Sequence, residues 1–92
     1  MYIAYKAPNN YTSNPIRMQH GNRSAVLSVF GTFSGATVTV AQSLDGGQSW
    51  IDLLDGVFTL PGQRVFPFTM GWMLNARITG GNVATNITVD IS

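Results

Sequence analysis

The sequence predicts an all-β protein: an antiparallel β-sandwich or small barrel, of the jelly-roll or immunoglobulin-like kind, with an extended N-terminal arm. Apolar and polar residues alternate along several segments, which is the period of a half-buried strand. β-Branched residues are abundant, and no window of helical length places apolar residues three and four positions apart. Ten glycines and several turn sequences divide the chain at short intervals. Together these features predict short antiparallel strands.

The first segment, "MYIAYKAPNNYTSNPIRMQ", is irregular and rich in asparagine, but it carries apolar residues at intervals. A disordered tail would lack such anchors. We therefore expect residues 1–23 to form an arm with short strands that lies on its own sandwich or on a neighbour's. Residues 24–92 form the body of the same single domain. The anchors of the arm are candidate assembly contacts: Tyr2, Ile3, Tyr5 and Tyr11.

The strands of the body follow from the alternation. Leu27, Val29 and Phe33 make one face of "SAVLSVFGTF". Val26 and Phe30 make its other face partly apolar, so this strand is either central or meets a partner. The same alternation marks "TVTVAQSL", "WMLNARIT" and "NITVDIS", and the turn sequences are "FSGAT", "DGGQ", "LDGV", "LPGQ" and "TGGNVATN".

One segment, "RVFPFTM", contains a proline within a strand pattern. Because Pro67 donates no ladder hydrogen bond, this strand lies at a sheet edge or contains a bulge. Phe66 and Phe68 share one side of it and are further candidate assembly contacts. The predicted strands lie near residues 2–6, 16–19, 24–33, 37–44, 49–54, 57–60, 64–70, 72–79 and 86–92. The predicted core is Leu27, Val29, Phe33, Val38, Val40, Leu44, Trp50, Leu74, Ile78, Ile87, Val89 and Ile91.

Composition limits the possible partners. The 92 residues include no cysteine, which excludes disulfides and thiolate metal sites. Charged residues are 10% of the chain, against an average of about 25%, and the net charge is +1. A surface so poor in charge fits a protein packed against neighbours, although small β domains rich in Ser and Thr share this composition. The basic residues form no run, no apolar stretch reaches the length of a membrane span, and the N-terminus lacks the apolar region of a signal peptide. We therefore expect no nucleic-acid and no membrane partner.

The stretch "SLDGGQSW" matches the pattern Ser-x-Asp-x-Gly-x-Thr/Ser-Trp, the Asp-box of sialidase-type propellers. Each motif residue has a structural use in a turn between two strands. The Asp accepts backbone hydrogen bonds, the glycines take positive φ angles, the serines tie the two strands and the Trp packs on the core. A propeller needs several blades of about forty residues, which this chain is too short to supply. We therefore expect a structural turn built from Ser43, Asp45, Gly46, Gly47, Ser49 and Trp50.

Other candidate chemistry is sparse. His20 is the single histidine, and its neighbours have no spacing of a catalytic triad or metal site. Asp52 and Asp55 could hold a cation, but two carboxylates alone are weak evidence for Ca²⁺. Trp50 and Trp72 could stack on a sugar if exposed, although both stand at strand starts where small β domains close their cores. We expect no enzyme, no cofactor and no metal site.

The segment "GTFSGATVTVAQSLDGGQSWIDL" resembles a recurring segment of small virion proteins of tailed bacteriophages. There, Gly-Thr-Phe/Trp-x-Gly-Ala-Thr-Val-Thr precedes a strand, then Asp-Gly-Gly-x-Thr/Ser-Trp precedes another. The matching residues are Gly31, Thr32, Phe33, Gly35, Ala36, Thr37, Val38 and Thr39, then Asp45, Gly46, Gly47, Ser49 and Trp50. The later segment "WMLNARITGG" fits the same pattern, and about half of the chain takes part in the resemblance.

This resemblance implies a non-enzymatic structural protein of the phage virion with a β-sandwich fold. We expect a capsid decoration or cement protein that stabilises the head through many repeated contacts. Its partners would be copies of itself, with a trimer favoured because phage decoration proteins often sit on threefold positions, and the phage major capsid protein. Head–tail joining, attachment to the tail and a small glycan-binding module are the alternatives.

Overall fold

The computed structural model describes residues 2–17, 23–68 and 72–92. These residues form nine strands and no helix, which confirms the all-β prediction. The strands are β1 (Tyr2–Ala7), β2 (Tyr11–Thr12), β3 (Ile16–Arg17), β4 (Arg23–Thr32), β5 (Thr37–Ser43), β6 (Ile51–Phe58), β7 (Gly62–Phe68), β8 (Met73–Thr79) and β9 (Asn86–Ile91). No helix in this part of the chain is long and apolar enough to span a membrane.

Two antiparallel sheets pack together as a β-sandwich. The four-stranded sheet has the order β1-β9-β4-β7, and the five-stranded sheet has the order β2-β8-β5-β6, with β3 also paired to β8. The chain changes sheet between β1 and β2, β3 and β4, β4 and β5, and then at every connection from β6 onward. Because most connections cross between the sheets, their loops gather at the two ends of the sandwich.

The core lies between the sheets and contains residues from both. Its largest fully buried side chains are Leu27, Leu74, Ile78, Ile87, Val29, Val38, Val40 and Val89. All of them belong to the predicted core, as do the buried Phe33 and Ile91. Burial alternates along β8 as the sequence pattern requires. Hydrophobic burial between two alternating faces therefore stabilises the sandwich.

Leu44 was predicted in the core, and that prediction is wrong. Its side chain is 52% exposed, whereas Ser43 beside it is fully buried. The strand ends at Ser43, where the chain turns into "LDGGQS" and folds back over the serine. Burial changes phase within β5, where Val40 and Ala41 are both buried, so the alternation that begins at Val38 assigned the wrong face to Ser43 and Leu44.

The predicted strands 49–54 and 57–60 are one strand, β6 (Ile51–Phe58). Its pairing with β5 matches Thr39 with Val57 and then Ala41 with Asp52. Four residues of β6 thus stand opposite the single residue Val40, so β6 contains a large irregular bulge. The sequence "LDGV" does interrupt the strand as a turn sequence would, but the bulge absorbs it without reversing the chain.

The N-terminal arm lies on its own sandwich. β1 is an edge strand paired with β9, with two shifts of register, and β2 and β3 pair with successive parts of β8. Between β2 and β3, Ser13 maintains the link: its N–H donates to the Ala76 carbonyl, and its Oγ accepts from the Ala76 N–H, each at 2.9 Å. The N-terminal segment is thus part of the body of the sandwich. Its short strand β2 was not predicted from the sequence.

The strand with Pro67 is confirmed at an edge. β7 pairs with β4 alone and closes one side of the four-stranded sheet, while β4 is central, between β9 and β7. The predicted extensions of β3 to residue 19 and of β7 to residue 70 reach beyond the described residues.

Candidate functional site

The Asp-box turn joins β5 to β6 through a compact set of hydrogen bonds. The Ser43 hydroxyl donates to Asp45 Oδ1 at 2.8 Å and accepts from the Gly47 N–H at 2.8 Å. The Ser49 N–H donates to Asp45 Oδ1 at 2.9 Å. One carboxylate oxygen and one buried hydroxyl therefore organise the whole turn, as the motif predicts.

The two glycines of the turn have the backbone geometry that was predicted for them. Gly46 has a φ of 77° and Gly47 a φ of 97°, in the region that L side chains rarely adopt. A Cβ on Gly47 would lie 3.6 Å from the Met73 sulfur and 4.0 Å from the Trp50 ring. Trp50 was predicted in the core, and that prediction is wrong: its side chain is half-buried, because its ring lies beside Gly47 at the end of the turn.

The chemistry of Asp45 is that of a structural acceptor. Hydrogen bonds from the Ser49 backbone N–H and then from the Ser43 hydroxyl hold the pKa of its carboxyl below the ordinary value. A carboxylate held in its ionised form by such donors is a poor general acid. These hydrogen bonds shape the turn.

The other two candidate aspartates, Asp52 and Asp55, lie along β6. Asp52 Oδ1 accepts from Arg77 Nη2 at 2.7 Å, and both side chains are about half exposed. Asp55 is exposed in the β6 bulge. Among residues 2–17, 23–68 and 72–92, no group of three or more His, Cys, Asp or Glu side chains could hold a metal ion. His20 lies outside the described residues.

The candidate sugar-stacking residues, Trp50 and Trp72, are both half-buried. Trp72 packs against the core cluster. Trp72 therefore occupies the rim position that the sequence favoured over an exposed platform.

The structure separates the candidate assembly contacts into three groups. Tyr2 and Tyr5 are exposed on β1 with ring centroids 4.7 Å apart, and the Lys6 ammonium lies 5.4 Å from the Tyr5 ring. Ile3 is buried in the chain's own core and is unavailable to a partner, so its assignment as a contact is corrected. Tyr11 and Phe66 pack against the core and are partly buried. The side chain of Phe68 lies outside the described part of the chain.

These contacts do not form one continuous surface. Tyr2 and Tyr5 stand on β1 and Phe66 stands on β7, which are opposite edges of the four-stranded sheet. The exposed face between them carries Phe30 on β4 and Val65 on β7 as large apolar side chains.

A depression that the sequence analysis did not identify lies between the β1–β2 turn and the β8–β9 loop. It has a volume of about 530 Å³ and is lined by Pro8, Asn9, Asn10, Asn82 and Val83. The Gly81 N–H donates to Asn9 Oδ1 at 2.9 Å and ties the two segments together. The β8–β9 loop was predicted as a turn and residues 8–10 as part of the arm, but their proximity depends on the pairing of β1 with β9 and of β2 with β8.

Comparison of the chain with protein-family models, with curated proteins and with solved structures gives no match.

Proposed function

We propose that this chain is a non-enzymatic structural protein of a tailed-phage virion, and specifically a decoration or cement protein of the head. The observation that carries the proposal is the role of the segment Gly31–Trp50, where the resemblance to phage virion proteins is concentrated. The residues that carry the resemblance determine the conformation of the backbone: glycines adopt positive φ angles, and Ser43 and Asp45 hold the turn by hydrogen bonds. A protein that acts by shape needs such residues, and it needs no reacting group.

Gly31 illustrates this role. It lies in β4 with a φ of 124°, and a Cβ at this position would collide with the Asn86 carbonyl oxygen of β9. Glycine is therefore required where β4 passes this close to the backbone of β9. At the other end of the segment, the hydrogen bonds of Asp45 and Ser43 hold the turn. The close packing at Gly31 and the hydrogen-bonded turn at Asp45 both restrict the backbone, which supports a rigid body.

The low charge of the chain supports a protein that works in contact with neighbours. Only 10% of its residues are charged, so large parts of its surface can pack without desolvating ions. The partners proposed are further copies of the chain, with a trimer favoured, and the major capsid protein. Many weak contacts repeated over a shell add stability by mass action, which is how a cement protein would act.

The experiment that tests this proposal locates the protein on the particle. Immunogold electron microscopy on purified virions would place gold on the head, and added protein would raise the temperature at which heads lacking it release DNA. Label confined to the tail or to the neck would favour the tail-associated or head–tail joining alternatives. Absence of the protein from purified virions would overturn the virion proposal.

A further inference from the structure

The five-stranded sheet has an outer face that points away from the core. Along β8, buried core residues alternate with three residues that therefore lie on the outer face: Met73, Asn75 and Arg77. In β5, Ala41 stands opposite Asn75 of β8 and opposite Asp52 of β6. Because residues directly opposite each other on paired strands share a face, Asp52 also belongs to the outer face.

The Trp50 ring lies at the Asp-box end of this face. A Cβ on Gly47 would be 3.6 Å from the Met73 sulfur and 4.0 Å from the Trp50 ring, so the sulfur and the ring flank the same glycine. Trp50 is half-buried, but it is not among the partly buried apolar side chains that pack against the core, which are Tyr11, Ile16, Phe66 and Trp72. Since Met73 belongs to the outer face, we place the ring there as well.

Beside the ring, Asp52 and Arg77 form an ion pair that is open to solvent. Arg77 Nη2 donates to Asp52 Oδ1 at 2.7 Å, and the two side chains are 57% (Asp52) and 45% (Arg77) exposed. Within the described part of the chain, neither side chain makes another hydrogen bond. Asp52 Oδ2 is therefore available as an acceptor, and the Nε and Nη1 groups of Arg77 are available as donors.

The ring and the ion pair are close enough to contact one small ligand. Asp52 follows Trp50 by two residues, which is about 7 Å of strand length. The hydrogen bond between Asp52 and Arg77 holds both side chains before a ligand arrives, so binding costs less conformational entropy. An aromatic surface thus stands next to a fixed acceptor and fixed donors.

This combination of groups selects the chemistry of a ligand. The face of an indole ring is electronegative and packs against polarised C–H groups. Vicinal hydroxyls both donate and accept, so they satisfy Asp52 and Arg77 together, whereas an anion would be attracted by Arg77 and repelled by Asp52. A pyranose ring with equatorial hydroxyls has a face of C–H groups and an edge of vicinal hydroxyls. It matches both parts of the outer face.

We propose that the outer face binds a glycan of gluco-configured pyranose units at its Asp-box end. One sugar ring stacks on Trp50, and its hydroxyls donate to Asp52 and accept from Arg77. This activity goes beyond the decoration role and does not depend on it.

The test uses two probes of known structure, cellohexaose and maltohexaose, which are β-linked and α-linked chains of glucose. Each is titrated at millimolar concentration into the purified full chain by isothermal titration calorimetry. We expect at least one of them to bind, and we expect Trp50→Ala to bind it about tenfold more weakly or worse, because the stacking surface is lost. Asp52→Ala and Arg77→Ala should each weaken binding by a similar factor.

Trp72→Phe is the matched control, because Trp72 packs against the core. It should bind the glycan like the unmodified chain, and thermal melting checks that every variant is folded. Absence of binding for both probes would overturn the inference. Unchanged binding by folded Trp50→Ala, or equal weakening by Trp50→Ala and Trp72→Phe, would also overturn it, because the ligand would then not contact the Trp50 ring specifically. None of these results bears on where the protein lies on the particle, so this inference and the proposed function can fail separately.

Discussion

Among the glycines of the turns and strands, Gly31 is the one whose replacement should destabilise the fold most. A Cβ there would meet the backbone of Asn86 and Ile87, which cannot move aside as a flexible side chain can. We expect Gly31→Ala to lower the free energy of unfolding by about 2–4 kcal/mol, from strain at positive φ together with the collision. Urea denaturation measures this change in the free energy of unfolding.

Gly46→Ala is the matched control for that substitution. Gly46 also has a positive φ, at 77°, but a Cβ there would meet nothing within 4 Å. Its cost should be that of the backbone alone, about 1 kcal/mol. Equal losses from the two substitutions would show that the close approach of β4 and β9 at Gly31 contributes nothing.

Ser13 should contribute more to stability than its exposed neighbours, because its hydroxyl accepts a hydrogen bond from the Ala76 N–H of β8 that a paired strand would otherwise accept. Ser13→Ala leaves the N–H of Ala76 without its acceptor in a buried position, which should cost about 1–3 kcal/mol. Ser28→Ala removes a hydroxyl whose bond with Gln63 is exposed, and should change stability by less than about 0.5 kcal/mol. Thermal unfolding measures the melting temperatures of the two variants. Similar melting temperatures would show that the hydrogen bond from Ala76 to Ser13 does not stabilise the fold.

Asp45 makes the Asp-box turn sensitive to acid. Because the folded state lowers the pKa of this carboxyl, the unfolded chain binds the proton more readily. The contribution of Asp45 to stability is therefore present above its ordinary pKa and is lost as the pH falls through the lower pKa of the folded state. Asp45→Asn keeps an acceptor oxygen but does not titrate, so its melting temperature should fall less between neutral and strongly acidic pH. Parallel pH profiles for the two proteins would contradict this.

At the scale of elements, the sequence is informative where hydrogen bonds are local. Asp45 and its partners Ser43 and Ser49 lie within seven residues, so the motif alone predicted the turn. The β6 bulge was not predicted because "LDGV" reads equally well as a turn, and only the register with β5 decides. The bond from Gly81 to Asn9 joins residues 72 positions apart, which no local pattern reveals.

The edges of the sandwich carry features that oppose pairing with other sheets. β1 has two shifts of register, β6 has its bulge, and β7 contains Pro67. Pro67→Val would give the free edge of β7 another N–H group. We expect this variant to keep its fold but to self-associate more as concentration rises, measured by light scattering. Val65→Thr, on the same strand, is the control, and equal masses for both proteins would contradict a protective role for the proline.

At the scale of the whole molecule, the N-terminal segment cannot be removed without affecting the body. β1 contributes Ile3, Ala4 and Ala7 to the core and covers the edge of β9. A chain without residues 2–7 should therefore lose most of its stability, seen as an early and broad thermal transition. A truncated chain that melts like the full one would show that β1 is dispensable. Loss of assembly in a truncated chain is consequently no evidence that this segment bridges subunits.

Surface substitutions on β1 test its role in assembly without that complication. Tyr2 and Tyr5 are exposed and contact each other, so Tyr2→Ser with Tyr5→Ser removes two aromatic rings while the buried face of β1 stays intact. If copies of the chain associate through this face, the unmodified protein should sediment as an oligomer, with a trimer favoured, and the double variant should shift towards the monomer. Phe30→Ser on the same sheet face tests how far the contact extends. A double variant that keeps both the melting temperature and the mass of the unmodified oligomer would exclude the tyrosine pair as a contact.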